Sequence, residues 1–258
     1  MTQPFQLTPE LWVLPSRTLA YNAGVLMSAG QVWLLDPGPH PDETARAATL
    51  AVSLGTPVGL VLTHSHWDHI LGPERLPTLP VYAHVRFAET LTAHQAATLA
   101  MIDRWEQRFG YVRTASFRPP RLASTFQDGQ VFVLGDLALT LMHIPGHAAD
   151  QVALFVPRSG LLWAADTLSD NEIPLVSHRL DAYELTLARL AALPIQALVP
   201  GHGAPTTDRA VIRQRLDADR AYLDEVRRRV VRAISAGASV AETVAACATM
   251  VFRSPVAN

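Results

Sequence analysis

Residues 63–69 read T-H-S-H-W-D-H, which places His64, His66, Asp68 and His69 within seven positions, directly after the apolar run V-G-L-V-L at 58–62. Packing does not account for such a cluster, because imidazoles and carboxylates buried without partners are costly. Nitrogen and oxygen donors at this density suit a metal ion. His64 and His66 stand two apart and can face one point, while the adjacent Asp68 and His69 can face a second. Zinc sites take about four ligands, and catalytic ones keep a position for water, so more donors are required downstream. Three occur in fitting contexts: His147 in P-G-H (145–147), Asp166 after L-L-W-A-A, and His202 in P-G-H-G (200–203). Each follows a β-like run, as the first cluster does. The division this suggests is His64, His66 and His147 on one cation and Asp68, His69 and His202 on another, with Asp166 bridging.

The elements that must position these donors are readable in outline. W-V-L (12–14), A-G-V-L-M (23–27) and V-W-L-L (32–35) read as strands, with S-A-G-Q (28–31) as a hairpin turn. Pro41 opens a helix to about Leu54, with Asp42 and Glu43 in the first turn, where the helix dipole favours acids. V-G-L-V-L (58–62) and V-Y-A-H (81–84) are strands, and 85–110 reads as helical. Strands return at 131–134, 137–142, 151–156 and 161–165, in mostly antiparallel pairing, and a short one lies at 197–199. Helices follow at about 181–192 and 208–235, and S-V-A-E (239–242) is a capping-box start for a last one. Two β-rich halves with helices predict a sheet-on-sheet sandwich flanked by helices. With no clear linker, residues 1–258 read as one domain: a core over 1–205 and a helical C-terminal extension over 206–258.

Bulk properties narrow the chemistry. The 258 residues are ample for a packed core, and 49% hydrophobic with 17% charged residues is a globular composition. A formal net charge of −2 gives no global attraction for nucleic acid. Cys247 is the only cysteine, which excludes disulfide frameworks and cysteine-cluster metal sites. The chain has no lysine, so Schiff-base chemistry is excluded. No basic-then-apolar leader and no bilayer-length apolar run is present, so the expected location is the cytoplasm and no membrane partner is expected.

D-P-G (36–38), T-H-S-H-W-D-H (63–69), P-G-H (145–147), A-D-T (165–167) and P-G-H-G (200–203) occur in the order found in the metallo-β-lactamase fold superfamily, which the chain resembles over nearly its whole length. The resemblance implies an α/β four-layered αββα sandwich and a dinuclear centre between the sheets, usually two Zn2+, with iron or manganese as alternatives. Main-subclass zinc β-lactamases place a cysteine where this chain has Asp166. The bridging aspartate and the helical tail are instead similar to glyoxalase II and lactonase-like hydrolases. The activity implied is cleavage of a small ester-like substrate, a lactone or thioester, by hydroxide generated between the metals, with Asp68 orienting it and relaying its proton. Two alternatives stay open on the same fold: a phosphodiesterase, and a mononuclear iron enzyme similar to persulfide dioxygenases. A noncatalytic binder is disfavoured by the intact donor set. The expected partner is a small molecule, with homodimerisation open.

Trp67 lies between donors and either shapes the pocket or packs. Leu168 and Ile173 belong to the loop after Asp166 and are expected to line the substrate pocket. The apolar residues of 85–110 read as core positions, or alternatively as a lid suited to an acyl chain. His40, His84, His94, His143 and His178 read as structural or surface groups, and Arg227–Arg229 as a solvated helix face.

Overall fold

The computed structural model describes residues 3–113 and 115–252. Its first sheet contains seven strands in sequence order: β1 (Phe5–Thr8), β2 (Leu11–Pro15), β3 (Asn22–Ser28), β4 (Gln31–Leu35), β5 (Thr56–Val61), β6 (Val81–His84) and β7 (Leu122–Phe126). β1 to β4 pair antiparallel, whereas β4 to β7 pair parallel. Helix α1 (Pro41–Leu54) makes the β4–β5 crossover that a parallel pair needs. Its bounds are those that Pro41 and the first-turn acids predict.

The second sheet contains β8 (Gln130–Leu134), β9 (Leu137–His143), β10 (Val152–Val156), β11 (Leu161–Trp163) and β12 (Ala197–Val199), in the order β12-β11-β10-β9-β8. The expected antiparallel pairing holds from β8 to β11, and β12 joins parallel to β11.

Side-chain alternation builds the layers. In β4, Trp33 and Leu35 enter the core between the sheets, while Val32 and Leu34 pack outward with α1 residues Ala47 and Ala51. In β10, Val152, Leu154 and Val156 face the other sheet, and Ala153 and Phe155 face outward onto helix α4 (Leu180–Ala191) and helix α5 (Arg209–Ser235). A strand buried on both faces reads as a continuous apolar run. The result is the αββα sandwich of the metallo-β-lactamase fold. Ile212, Leu216 and Leu223 of α5 belong to the outer core on the second sheet, and α6 (Val240–Cys247), begun by the Ser239–Glu242 capping box, packs on α5. Among the described residues no helix is long and apolar enough to cross a membrane.

Three local expectations are revised. The edge strands β1 and β7 escape the hydrophobic pattern, because β1 has no fully buried residue and the middle residues of β7 are exposed. The region 85–110 is two helices, α2 (Phe87–Ala93) and α3 (Gln95–Phe109), joined at His94, with no Gly or Pro to announce the break. The strand read over 161–165 stops at Trp163, and Ala165 turns to φ 47° just before Asp166.

Candidate metal centre

All seven predicted donors come to one end of the sandwich, each from a loop after a strand. Donor atoms of His64, His66, His147 and Asp166 lie within 4.8 Å of one another, as do those of Asp68, His69 and His202. Asp166 stands between the two groups. Its Oδ2 is 3.6 Å from His64 Nε2, 3.3 Å from His147 Nε2 and 3.5 Å from His202 Nε2, and its Oδ1 is 3.2 Å from His69 Nε2. Asp68 Oδ2 lies 3.1 Å from His202 Nε2.

The outward nitrogens fix the tautomers. His147 Nδ1 is 2.9 Å from the Leu175 carbonyl and His202 Nδ1 is 2.9 Å from that of Leu19, so both Nδ1–H groups donate. The Thr63 hydroxyl donates to Asp36 Oδ2 at 2.7 Å, which leaves its lone pair to accept from His64 Nδ1 at 3.1 Å. His69 Nδ1 is 3.2 Å from Asp36 Oδ2. In the neutral rings the inward Nε2 atoms are thereby the lone-pair donors, and outer partners of this kind orient metal-binding histidines.

A cation fits this arrangement. His64 Nε2, His69 Nε2 and Asp166 Oδ1 are buried with no hydrogen-bond partner among the described residues. His66 Nδ1 and His147 Nε2 face each other at 2.8 Å. Such orphaned buried donors are expensive unless something positive lies between them. The set is imidazole and carboxylate without thiolate, which suits zinc, iron or manganese.

The electrostatics agree. Burial, reinforced by His69, holds the His64 imidazole well below its usual value, and burial with His147 pushes His66 down to about 4. These two are neutral, as ligands must be. At His202 burial opposes charge, but Asp166 and Asp68 outweigh it and push the imidazole up to about 10. His69 is likewise raised, by Asp166, Asp68 and Asp36 against burial. Burial disfavours ionisation of both carboxylates, yet His69 and His202 hold Asp68 and Asp166 below the usual range. Protons on His69 and His202 occupy positions that a cation would take over.

Several supporting residues were not evident from sequence. Asp36, fully buried at φ 42°, accepts from Thr63 N at 2.8 Å in addition to its contacts with the Thr63 hydroxyl and His69. Asn22 Nδ2 donates to the Pro200 and Gly203 carbonyls at 2.9 and 2.8 Å, tying the His202 turn to β3. The Tyr21 ring packs edge-on against His69 and His202, and its hydroxyl donates to the Asp36 carbonyl at 2.8 Å. Buried Arg215 of α5 donates to the Leu168 and Ala204 carbonyls and pairs with Asp170, clamping the loop after Asp166 to the loop after His202. Asp150 is fully buried, with Ser65 of the first donor loop only partly offsetting the desolvation that pushes its carboxyl up to about 7. Gly201 is required in P-G-H-G because a Cβ there would fall on Asp166 Oδ1. Only the D-P-G and P-G-H-G motifs hinted at any of this.

Trp67 lines a cavity of about 240 Å3 beside His66 and His147, stacked on Trp105 of α3 at 5.4 Å. Leu168 is fully buried in the outer core and, with the 40%-exposed Ile173, borders a crevice of about 10 Å3 that His147, Asp166 and His202 also line. His40 is buried 2.8 Å from the Thr18 hydroxyl, and His143 stacks on His84 with its Nε2 donating to the Ala149 carbonyl. His94 and His178 are exposed, at the wall of the larger cavity. Arg227 pairs with Glu184, and Arg228 and Arg229 with Glu225.

Residues 17–202 match the metallo-beta-lactamase superfamily, and the chain belongs to that superfamily. It is 27% identical to a hydroxyacylglutathione hydrolase of Mesorhizobium japonicum over 57% of this chain and 48% of that protein. It is 30% identical to the human acyl-coenzyme A thioesterase MBLAC2 over 66% of this chain and 61% of that protein. The chain thus spans about half to three fifths of these two relatives. The solved structure of the metallo-beta-lactamase family protein TTHA1429 from Thermus thermophilus superposes with a TM-score of 0.67 at 24% identity, covering 90% of this chain and 84% of that one.

Proposed function

We propose that this chain is a metal-dependent hydrolase of small thioesters that holds two divalent cations, zinc foremost, with His64, His66 and His147 on one, Asp68, His69 and His202 on the other and Asp166 shared. The observation that carries the reading is the Asp166 carboxylate, set within 3.6 Å of imidazoles from both donor groups. A thioester is favoured over a lactone because two relatives are named for acyl groups carried on glutathione and coenzyme A.

Cations held there supply hydroxide at neutral pH and a Lewis acid for the carbonyl. The chain's own residues do the rest. Asp68, ionised and 3.1 Å from His202 Nε2, accepts a hydrogen bond from the attacking water and holds it toward the carbonyl carbon. The new bond joins water oxygen to carbonyl carbon, and the carbon–sulfur bond breaks. Asp68 is the residue placed to pass the water's proton to the departing thiolate. Arg215, Asn22 and Asp36 keep the donor loops at fixed spacing, so little reorganisation is needed during the reaction.

The test is turnover by zinc-loaded protein of a glutathione thioester, an acyl-coenzyme A, an acyl-homoserine lactone and bis(p-nitrophenyl) phosphate, each with and without chelator. Chelator-sensitive thioester cleavage is expected. Cleavage of the phosphodiester alone would move the protein to phosphodiester chemistry.

A further inference from the structure

The cavity beside His66 and His147 has no role in the mechanism above, and its chemistry is unlike that of the donor cluster. It is walled by α2, α3 and the loops after His147 and before α4, and none of its lining residues is Asp, Glu, Arg or Lys. Its floor is the Trp67 ring, held flat by stacking on Trp105 at an interplanar angle of 7°. Met101 of α3, a side chain that adapts to varied apolar shapes, lines it beside Ala97. Of its hydroxyls, that of Thr90 is already spent on the Arg86 carbonyl at 2.9 Å. Besides His66 and His147, which are shared with the donor cluster, the polar lining is Thr98, Ser177 and the exposed His94 and His178, while Trp67, Met101 and the alanines of the lining offer an occupant apolar contact.

We propose that this cavity holds the acyl group of the substrate, with the reacting carbonyl at the His66–His147 end and the hydrocarbon chain between Trp67 and α3. The inference rests on the hydrolase reading for the word substrate, and on the cavity alone for the apolar ligand. A cavity of about 240 Å3 has room for several methylenes of a hydrocarbon chain, and its filling sets a limit to the chain length that gains from it. Polar carriers such as glutathione or a pantetheine arm are left outside the cavity.

The experiment uses the zinc-loaded 258-residue chain and N-acetylcysteamine thioesters of acetate, butyrate, octanoate and palmitate. Each buried methylene is expected to raise kcat/KM about fourfold until the cavity is full, with no gain beyond. Ala97→Phe, at an exposed α3 position that tolerates a larger side chain, fills the cavity and is expected to lower the octanoyl-to-acetyl ratio of kcat/KM about tenfold or more. Octanoate titration followed by tryptophan fluorescence reads the same site without turnover, because Trp67 lines it and stacks on Trp105. Saturable quenching that weakens in Ala97→Phe supports the assignment. A flat chain-length profile with active enzyme overturns the acyl site and leaves the hydrolase reading standing. Absence of all turnover removes the hydrolase reading, and the octanoate titration then decides the apolar site alone: saturable binding keeps it and no binding overturns it.

Discussion

Replacing Asp150 by Asn tests how the protein tolerates a carboxyl group placed behind the donor loops. Asp150 is fully buried, and desolvation pushes its carboxyl from 3.8 up to about 7, with Ser65 only partly offsetting it. In the unfolded chain the same group ionises near 3.8. Above the folded value both states are ionised, and the native state carries the cost of a buried charge. The rise corresponds to roughly 4 kcal/mol at about 1.4 kcal/mol per pH unit. Because an acid raised on folding destabilises when ionised, that cost is complete above pH 7 and is relieved as pH falls through 7 toward 4, where the native state binds the proton first. Asn carries no charge at any of these pH values, but it adds a buried amide that offsets part of the gain. In metal-free protein unfolded by urea, Asp150→Asn should be more stable than the wild type by about 1–3 kcal/mol near pH 8, and the advantage should vanish near pH 5. Equal stability differences at the two pH values would mean that Asp150 does not titrate between them, and the argument from its burial would fall.

Four further substitutions probe the site and its supports. His147→Ala should lower the metal bound per chain and remove chelator-sensitive hydrolysis, as read by elemental analysis and turnover; full occupancy together with full turnover would exclude His147 as a ligand. Gly201→Ala should displace the Asp166 carboxylate, and metal affinity measured by chelator competition should fall about 10–100-fold. Asp36→Asn sets an amide donor against the Thr63 and His69 donors, so a similar loss is expected, and wild-type affinity would show that these outer contacts do not orient the ligands. Arg215→Met leaves the Leu168 and Ala204 carbonyls and Asp170 without their shared donor, and a urea midpoint shift worth about 2–4 kcal/mol is expected; no shift would show the clamp to be dispensable.

The candidate donors were legible because their motifs are short, dense and punctuated. His64, His66, Asp68 and His69 follow a strand within six positions of one another, and P-G-H marks two more turns. The apolar cavity was half legible. The apolar residues of 85–110 allowed either core or lid, and in the fold Ile102 is core while Met101 and Ala97 line the cavity. The loop after Asp166 was legible as adjacent to the site, but which of its side chains would turn outward was not, and Leu168 turned into the core.

By itself the sequence determined most of the strands and helices, the bounds of α1 and the strand-end placement of seven candidate donors, because these depend on local periodicity, capping and residue type. Only the tertiary structure decided which donors share a point, that Asp166 stands between two groups, and that Asn22, Asp36 and Arg215 hold the loops. The Asn22 contacts to Pro200 and Gly203 span 178 and 181 residues. No local pattern encodes such a pairing, because it exists only once two sheets have packed on a common core and brought their loop ends to one edge.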